Sequence, residues 1–171
     1  MSERVYVLTM ASINRAREAG DLKMMRTHIA VLLAMFMVPV SGVADPEFFD
    51  EGPMSGKGYP FSESVRVGNI LFISGQVGVD ENNQLVEGGV VGETRQIMSN
   101  IGGALERRGL GFSDVVKCTV FLADVAEWGE FNTIYTSYFE RPYPARSALG
   151  ANGLALGARL EVECIAAYPS E

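Results

Sequence analysis

Between residues 64 and 122 the spacing of apolar residues changes twice, and this alternation restricts the architecture more than any other feature of the chain. The run SVRVGNILFISGQVGV holds two β-rich segments either side of Gly68 and Asn69. That dipeptide suits the positive φ angles of a tight turn, so the run predicts a hairpin. ENNQ, at 81–84, predicts the next turn. From Gly92 to Arg108 the period lengthens. Ile97, Ile101 and Leu105 recur four apart with Met98 beside them, while Arg95, Glu106 and Arg107 fall elsewhere on the wheel. That is an amphipathic helix, stopped at Gly109. VVKCTVFL returns to strand. Asp124, with Glu127 three residues on, then resembles a capping box opening a second helix. Its aromatic stripe of Trp128, Phe131, Tyr135, Tyr138 and Phe139 is expected to pack on a sheet rather than to hold a cofactor. Pro142 and Pro144 end that helix, and ARSALGA and ARLEVECIAAY read as two last strands. The order ββαβαββ predicts an α+β sheet with both helices on one face. The opposite face then needs cover, which self-association could supply.

The front of the chain follows another pattern. MMRTHIAVLLAMFMVPVSGVADP has a basic start at Arg26, an uncharged apolar run from Ile29 to Val40, and small residues at Gly42 and Ala44. This is the order of a secretory signal, predicted here over 24–44 with cleavage after Ala44. An uncleaved anchor is the main competing reading, although the apolar run falls short of the roughly 20 residues a spanning helix needs. A buried internal helix would show polar positions on one face, and this run shows none. Residues 1–23 precede the signal as a polar extension, which suggests that translation starts at Met24 or Met25. DPEFFDEGPMSGKG, at 45–58, mixes Pro, Gly and acids without period and is expected to be a mobile leader. The folded domain is expected over 59–171. The protein is thus expected to be exported, in the periplasm, with contact to membrane only through the signal; it stays cytoplasmic if 24–44 does not act as one.

Without its first 44 residues the chain carries nine Lys or Arg against eighteen Asp or Glu. Such a body repels a polyanion, so nucleic acid is not an expected partner. The one histidine, His28, lies in the predicted signal segment, so the domain has no histidine base, no histidine-containing triad and no zinc site with histidine ligands. No phosphate loop, dinucleotide fingerprint, serine elbow or Cys-x-x-Cys pair occurs. Neither a metal nor a cofactor is expected. Cys118 and Cys164 lie in strand-like runs; one disulfide is open to them in an exported protein, with buried free thiols the plainer expectation.

Chemistry therefore has to come from other groups. Arg146 is the leading candidate, because a guanidinium is a rigid fork of donors that matches a carboxylate, more strongly in apolar surroundings. Its competing role is a structural salt bridge to Glu161 or Glu163.

PARSA followed by LEVECIAA, with FISGQVG upstream and KCTVFLADVAEWGEFNTIYTSYF between, resembles the RidA family, also called YjgF/YER057c/UK114. The resemblance covers about Tyr59 to Tyr168. It implies a chorismate-mutase-like α+β fold assembled as a homotrimer with ligand clefts between subunits. It also implies hydrolysis of reactive enamines and imines, such as those derived from 2-aminoacrylate, to 2-oxo acids and ammonia. By motif, Arg146 would hold the substrate carboxylate and Glu161 would orient the attacking water. Ser74, Gly75 and Asn132 would line the cleft. Two positions depart from better-known members. Ala148 stands where cysteine is frequent, which matters little if only its backbone binds. Phe61 stands where many members carry tyrosine, which puts that hydroxyl's polar contact, and the substrate preference, in question. The ligand is expected to be a small 2-imino or 2-oxo carboxylic acid. The alternatives are a trimer that binds small carboxylates or amines without turnover, a ribonuclease or translation inhibitor, which the acidic body opposes, and a structural or chaperone-like trimer.

Overall fold

The computed structural model describes residues 44–52 and 57–169. The extension 1–23 and the signal segment, apart from Ala44, lie outside the described residues. Six strands form one sheet: β1 Glu47–Phe49, β2 Ser64–Val67, β3 Ile70–Val77, β4 Val115–Leu122, β5 Ala145–Gly150 and β6 Leu160–Ala167. Among the described residues two helices accompany them, α1 Gly89–Glu106 and α2 Trp128–Tyr135. The sheet order is β1-β2-β3-β6-β4-β5. Only β5 runs parallel to its neighbour, β4. A parallel pair requires a long crossover, and the segment carrying α2 supplies it. The two last strands are strands as expected, but they do not pair with each other. β6 enters the middle of the sheet between β3 and β4.

Local signals account for the element ends. Gly68 takes φ 61° in the β2–β3 turn. Gly109, at φ 71°, lets the Leu110 amide return to the Leu105 carbonyl at 3.0 Å, the bond that closes a glycine-terminated helix. Asp124 does cap, accepting from the Ala126 amide at 2.9 Å, but it caps a 3-10 turn over Val125–Glu127, and α2 proper starts at Trp128. The expected leader also differs in part. Glu47–Phe49 pairs with β2, and the Phe49 ring lies 3.9 Å from the Arg108 guanidinium. Three residues show no period to read; their structure is borrowed from the open edge of β2.

Alternation along the strands sorts the sheet into two faces. Leu71 and Ile73 of β3, Cys118, Val120 and Leu122 of β4, and Leu160, Val162 and Cys164 of β6 share a core with Ile97, Ile101 and Leu105 of α1 and Phe131 and Tyr135 of α2. Both helices thus cover the same face. Trp128 departs from the expected stripe and stays exposed, whereas Phe131, Tyr135 and Phe139 are buried. On the helix-free face, Phe72 and Leu149 remain exposed in the single chain.

Cys118 and Cys164 stand directly opposite each other in the β4–β6 register, and their sulfurs are bonded. The expectation of free thiols is therefore corrected: the insertion of β6 beside β4 creates the pair, which no local pattern announces. Closing a loop of 46 residues contributes about 4 kcal/mol in the chain-entropy account.

Candidate active site

The site starts from an irregularity in β3. Ile73 pairs with Cys164 and Gln76 with Val162, so Ser74 and Gly75 together stand opposite the single residue Glu163. This bulge redirects the strand locally. Ser74 pins the neighbouring segment: its amide donates to the Glu63 carbonyl at 2.9 Å and its hydroxyl to the Ser62 carbonyl at 2.7 Å. Phe61 is carried to the bulge in this way, with the Tyr59 ring stacked on it at 5.6 Å. The Asn83 amide group in turn donates to the Tyr59 hydroxyl at 3.1 Å.

Glu161 opens β6 beside this bulge. A β-carbon at Gly75 would lie 1.9 Å from the Glu161 Oε1, so the carboxylate occupies space that only glycine leaves open. The start of β6 is held firmly. The buried Glu93 of α1 accepts from the Arg159 amide at 2.8 Å, while the Arg159 guanidinium pairs with Glu127. Burial, and then the negative charge of Glu163, push the Glu161 carboxyl above its ordinary value. A cavity of about 420 Å³ opens here, bringing together four of the expected site residues, Phe61, Ser74, Gly75 and Glu161. Tyr59, Val77, Ala155 and Leu156 complete its wall and were not foreseen. Tyr59 had a readable signal, being an aromatic two residues from Phe61; the other three are placed by tertiary structure. A second cavity of about 440 Å³, between Phe112, Tyr138 and Arg141, contains none of the expected site residues.

Arg146, Ala148 and Asn132 lie elsewhere. Arg146 pairs in register with Cys118, and Cys118 with Cys164, so Arg146 belongs to the helix-covered face. Ala148, opposite Val120, shares that face. The Arg146 guanidinium sits 4.8 Å from the Tyr135 ring and 5.5 Å from that of Phe131. Asn132, on α2, has a buried amide oxygen without a hydrogen-bond partner. Glu161 lies three residues from Cys164 along β6 and therefore on the other face, opposite Phe121. Among the described residues Arg146 has no carboxylate partner, so the salt bridge to Glu161 or Glu163 is not formed. One chain thus holds Arg146 and Glu161 apart on opposite faces of its sheet. The first is an arginine on an aromatic bed, able to grip a carboxylate. The second is a partly desolvated glutamate over a bulge, able to accept a proton.

Three kinds of comparison agree on kinship. The family model described as endoribonuclease L-PSP matches residues 57–168. The mouse 2-iminobutanoate/2-iminopropanoate deaminase is 46% identical over 108 residues, covering 63% of this chain and 80% of that protein. The crystal structure of yeast YEO7 superposes with a TM-score of 0.68 at 34% identity, covering 73% of this chain and 100% of that one. RidA from an Antarctic Psychrobacter gives a TM-score of 0.62 at 34% identity, over 64% and 89% of the two chains. Motifs, sheet topology and these matches lead to one conclusion: the chain belongs to the endoribonuclease L-PSP family, the RidA (YjgF/YER057c/UK114) family.

Proposed function

We propose that this protein hydrolyses reactive 2-imino acids and their enamine tautomers to 2-oxo acids and ammonia, as a homotrimer whose clefts join the Arg146 half-site of one subunit to the Glu161 half-site of the next. The observation that carries this reading is the placement of an arginine without a carboxylate partner and a desolvated glutamate on opposite faces of one sheet. A closed ring of identical subunits can bring such surfaces together and also cover the exposed Phe72 and Leu149. The names of the relatives, deaminases of 2-iminobutanoate and 2-iminopropanoate among them, support the same chemistry.

The reaction needs little machinery. The imine carbon beside a carboxylate is already electrophilic, so fixing the acid and positioning a water supply much of the barrier reduction. Arg146 holds the carboxylate through two parallel N–H donors. Glu161 takes a proton from the attacking water and delivers it to the imine nitrogen, so that water adds across C=N; it then passes the new hydroxyl's proton to the same nitrogen, the C–N bond breaks, and the 2-oxo acid and ammonia leave. A carboxyl raised by burial is better matched to both steps than an exposed one. Replacing Arg146 by Lys keeps the charge and loses the fork. For 2-iminopropanoate, KM should rise and kcat/KM should fall by about tenfold or more, with the melting temperature near that of the parent. Unchanged kinetics in that variant would return the protein to the class of non-catalytic binders. The family description names an endoribonuclease, but a domain with twice as many acids as bases lacks the basic surface an RNA backbone requires.

We also propose that residues 24–44 direct export. The Cys118–Cys164 disulfide supports this, since such bonds persist in oxidising compartments. N-terminal sequencing of protein from its native host should begin at Asp45. A cytosolic protein that keeps residues 24–44 overturns the proposal.

A further inference from the structure

Leu156 combines two features that stability alone disfavours. Its φ is 59°, in the left-handed region that penalises a β-carbon, and the residue is 54% exposed. The residue sits at the apex of the 3-10 turn Ala155–Gly157, between Gly153 at φ 89° and Gly157 at φ 75°. Glycine would fit position 156 without strain, as it does on both sides. The turn is well anchored. Ala158 is buried with Val77 and Val79, Leu154 packs on that cluster, and the Ala158 amide donates to the Ala155 carbonyl at 3.0 Å. Anchored at both ends, the turn holds Leu156 in the wall of the Glu161 cavity. A strained backbone that presents an exposed apolar side chain at a cavity points to a role in what the cavity takes.

The cavity is chemically divided. Its charged group is the Glu161 carboxylate over Gly75, and its apolar lining comprises Phe61, Leu156 and Val77, the last being the cross-strand neighbour of Glu161. Among the described residues Glu161 is the one charged residue lining it in the single chain, and the Arg146 brought by the adjoining subunit is taken up by the substrate carboxylate, so a charged substituent finds no further partner there. We infer that Leu156, with Phe61 and Val77, forms a subsite for the substrate's side chain that selects imino acids with branched aliphatic or aromatic substituents over the methyl-bearing 2-iminopropanoate. This rests on the deaminase reading and adds the substrate class. With the water at Glu161, the substituent beyond the imine carbon runs along the apolar lining. Each methylene it buries there adds to discrimination.

Leu156→Asn tests the inference, because asparagine tolerates the left-handed region and removes only the apolar contact. Imines freshly generated from leucine and from alanine are compared, with light scattering and thermal unfolding alongside. The parent should favour the leucine-derived imine by about tenfold or more in kcat/KM. The variant should lose most of that preference, with kcat/KM falling far more for the leucine-derived than for the alanine-derived imine, hold its subunit number and melt no lower than the parent. Three results overturn the inference: a parent that prefers the methyl substrate, a variant that loses both activities in parallel, or a variant that falls apart into smaller species, which would make Leu156 a subunit contact. If the parent turns over neither imine, the deaminase reading fails, and binding of the unreactive 2-oxo acids decides the subsite separately. It stands if 4-methyl-2-oxopentanoate binds the parent more tightly than pyruvate and Leu156→Asn removes the difference; equal binding to the parent overturns it.

Discussion

Glu161→Gln is expected to lower kcat for 2-iminopropanoate by about 10²-fold or more, since general acid–base help is commonly of that size and the amide cannot accept the water's proton. The same substitution should leave the fold equally or more stable at neutral pH. Burial and Glu163 raise the Glu161 carboxyl above its ordinary value, so the native state favours the protonated form more than the unfolded chain does. The contribution of this group to stability is therefore fully present below the unfolded value and is lost as pH rises through the raised native one. At pH 7–8 the ionised carboxylate costs stability, and the neutral isostere relieves that cost. The gain in melting temperature should shrink as pH falls toward 4.5, where the parent's own carboxyl becomes neutral. In the parent, kcat should rise with pH through the raised value; the variant should lack that limb. A structural glutamate predicts the reverse, a lower melting temperature with little change in rate, and that outcome would remove Glu161 from the chemistry.

This opposition between stability and use explains which parts of the site were legible. The helices announce themselves: Ile97, Ile101 and Leu105 at helical spacing, and Gly109 where the chain must turn back, are local facts. Arg146 and Glu161 stand out because each sits among apolar residues where charge is costly, and the family motifs give them roles. Their separation onto opposite faces was not legible, because alternation relates residues only within a strand. Comparing β5 with β6 requires the register through β4, which follows from the insertion of β6 into the middle of the sheet. The disulfide was hidden for the same reason. The bulge at Ser74 and Gly75 and the left-handed Leu156 lie further from reach: both break the regular pattern, and a pattern-based reading assigns such residues to the nearest regular element. Tertiary contacts from Glu161 and from the Val77 cluster hold them there.

The opposite-face geometry makes its sharpest demand on mixtures of inactive subunits. Arg146→Ala should reduce kcat/KM about 10²-fold by removing both charge-assisted bonds to the carboxylate, a loss comparable to that of Glu161→Gln. If each cleft takes its arginine from one subunit and its glutamate from the next, a trimer containing both variants has one cleft where intact Arg146 meets intact Glu161, whichever variant is in the majority. Random assembly of equal amounts gives mixed trimers in about three quarters of cases, so co-expression should recover about one quarter of parental activity per subunit. That is some 25-fold above either variant alone, and light scattering on the same preparation should give about three times the subunit mass. KM in the rescued preparation should match the parent's, because the surviving clefts are complete; a uniformly weakened site would instead show a raised KM at every mixing ratio. Recovery should also peak at equal amounts and fall toward either pure variant. If the co-expressed trimer stays at the level of the single variants, both groups serve the same cleft from one chain, and the inter-subunit assignment drawn from the sheet register is wrong.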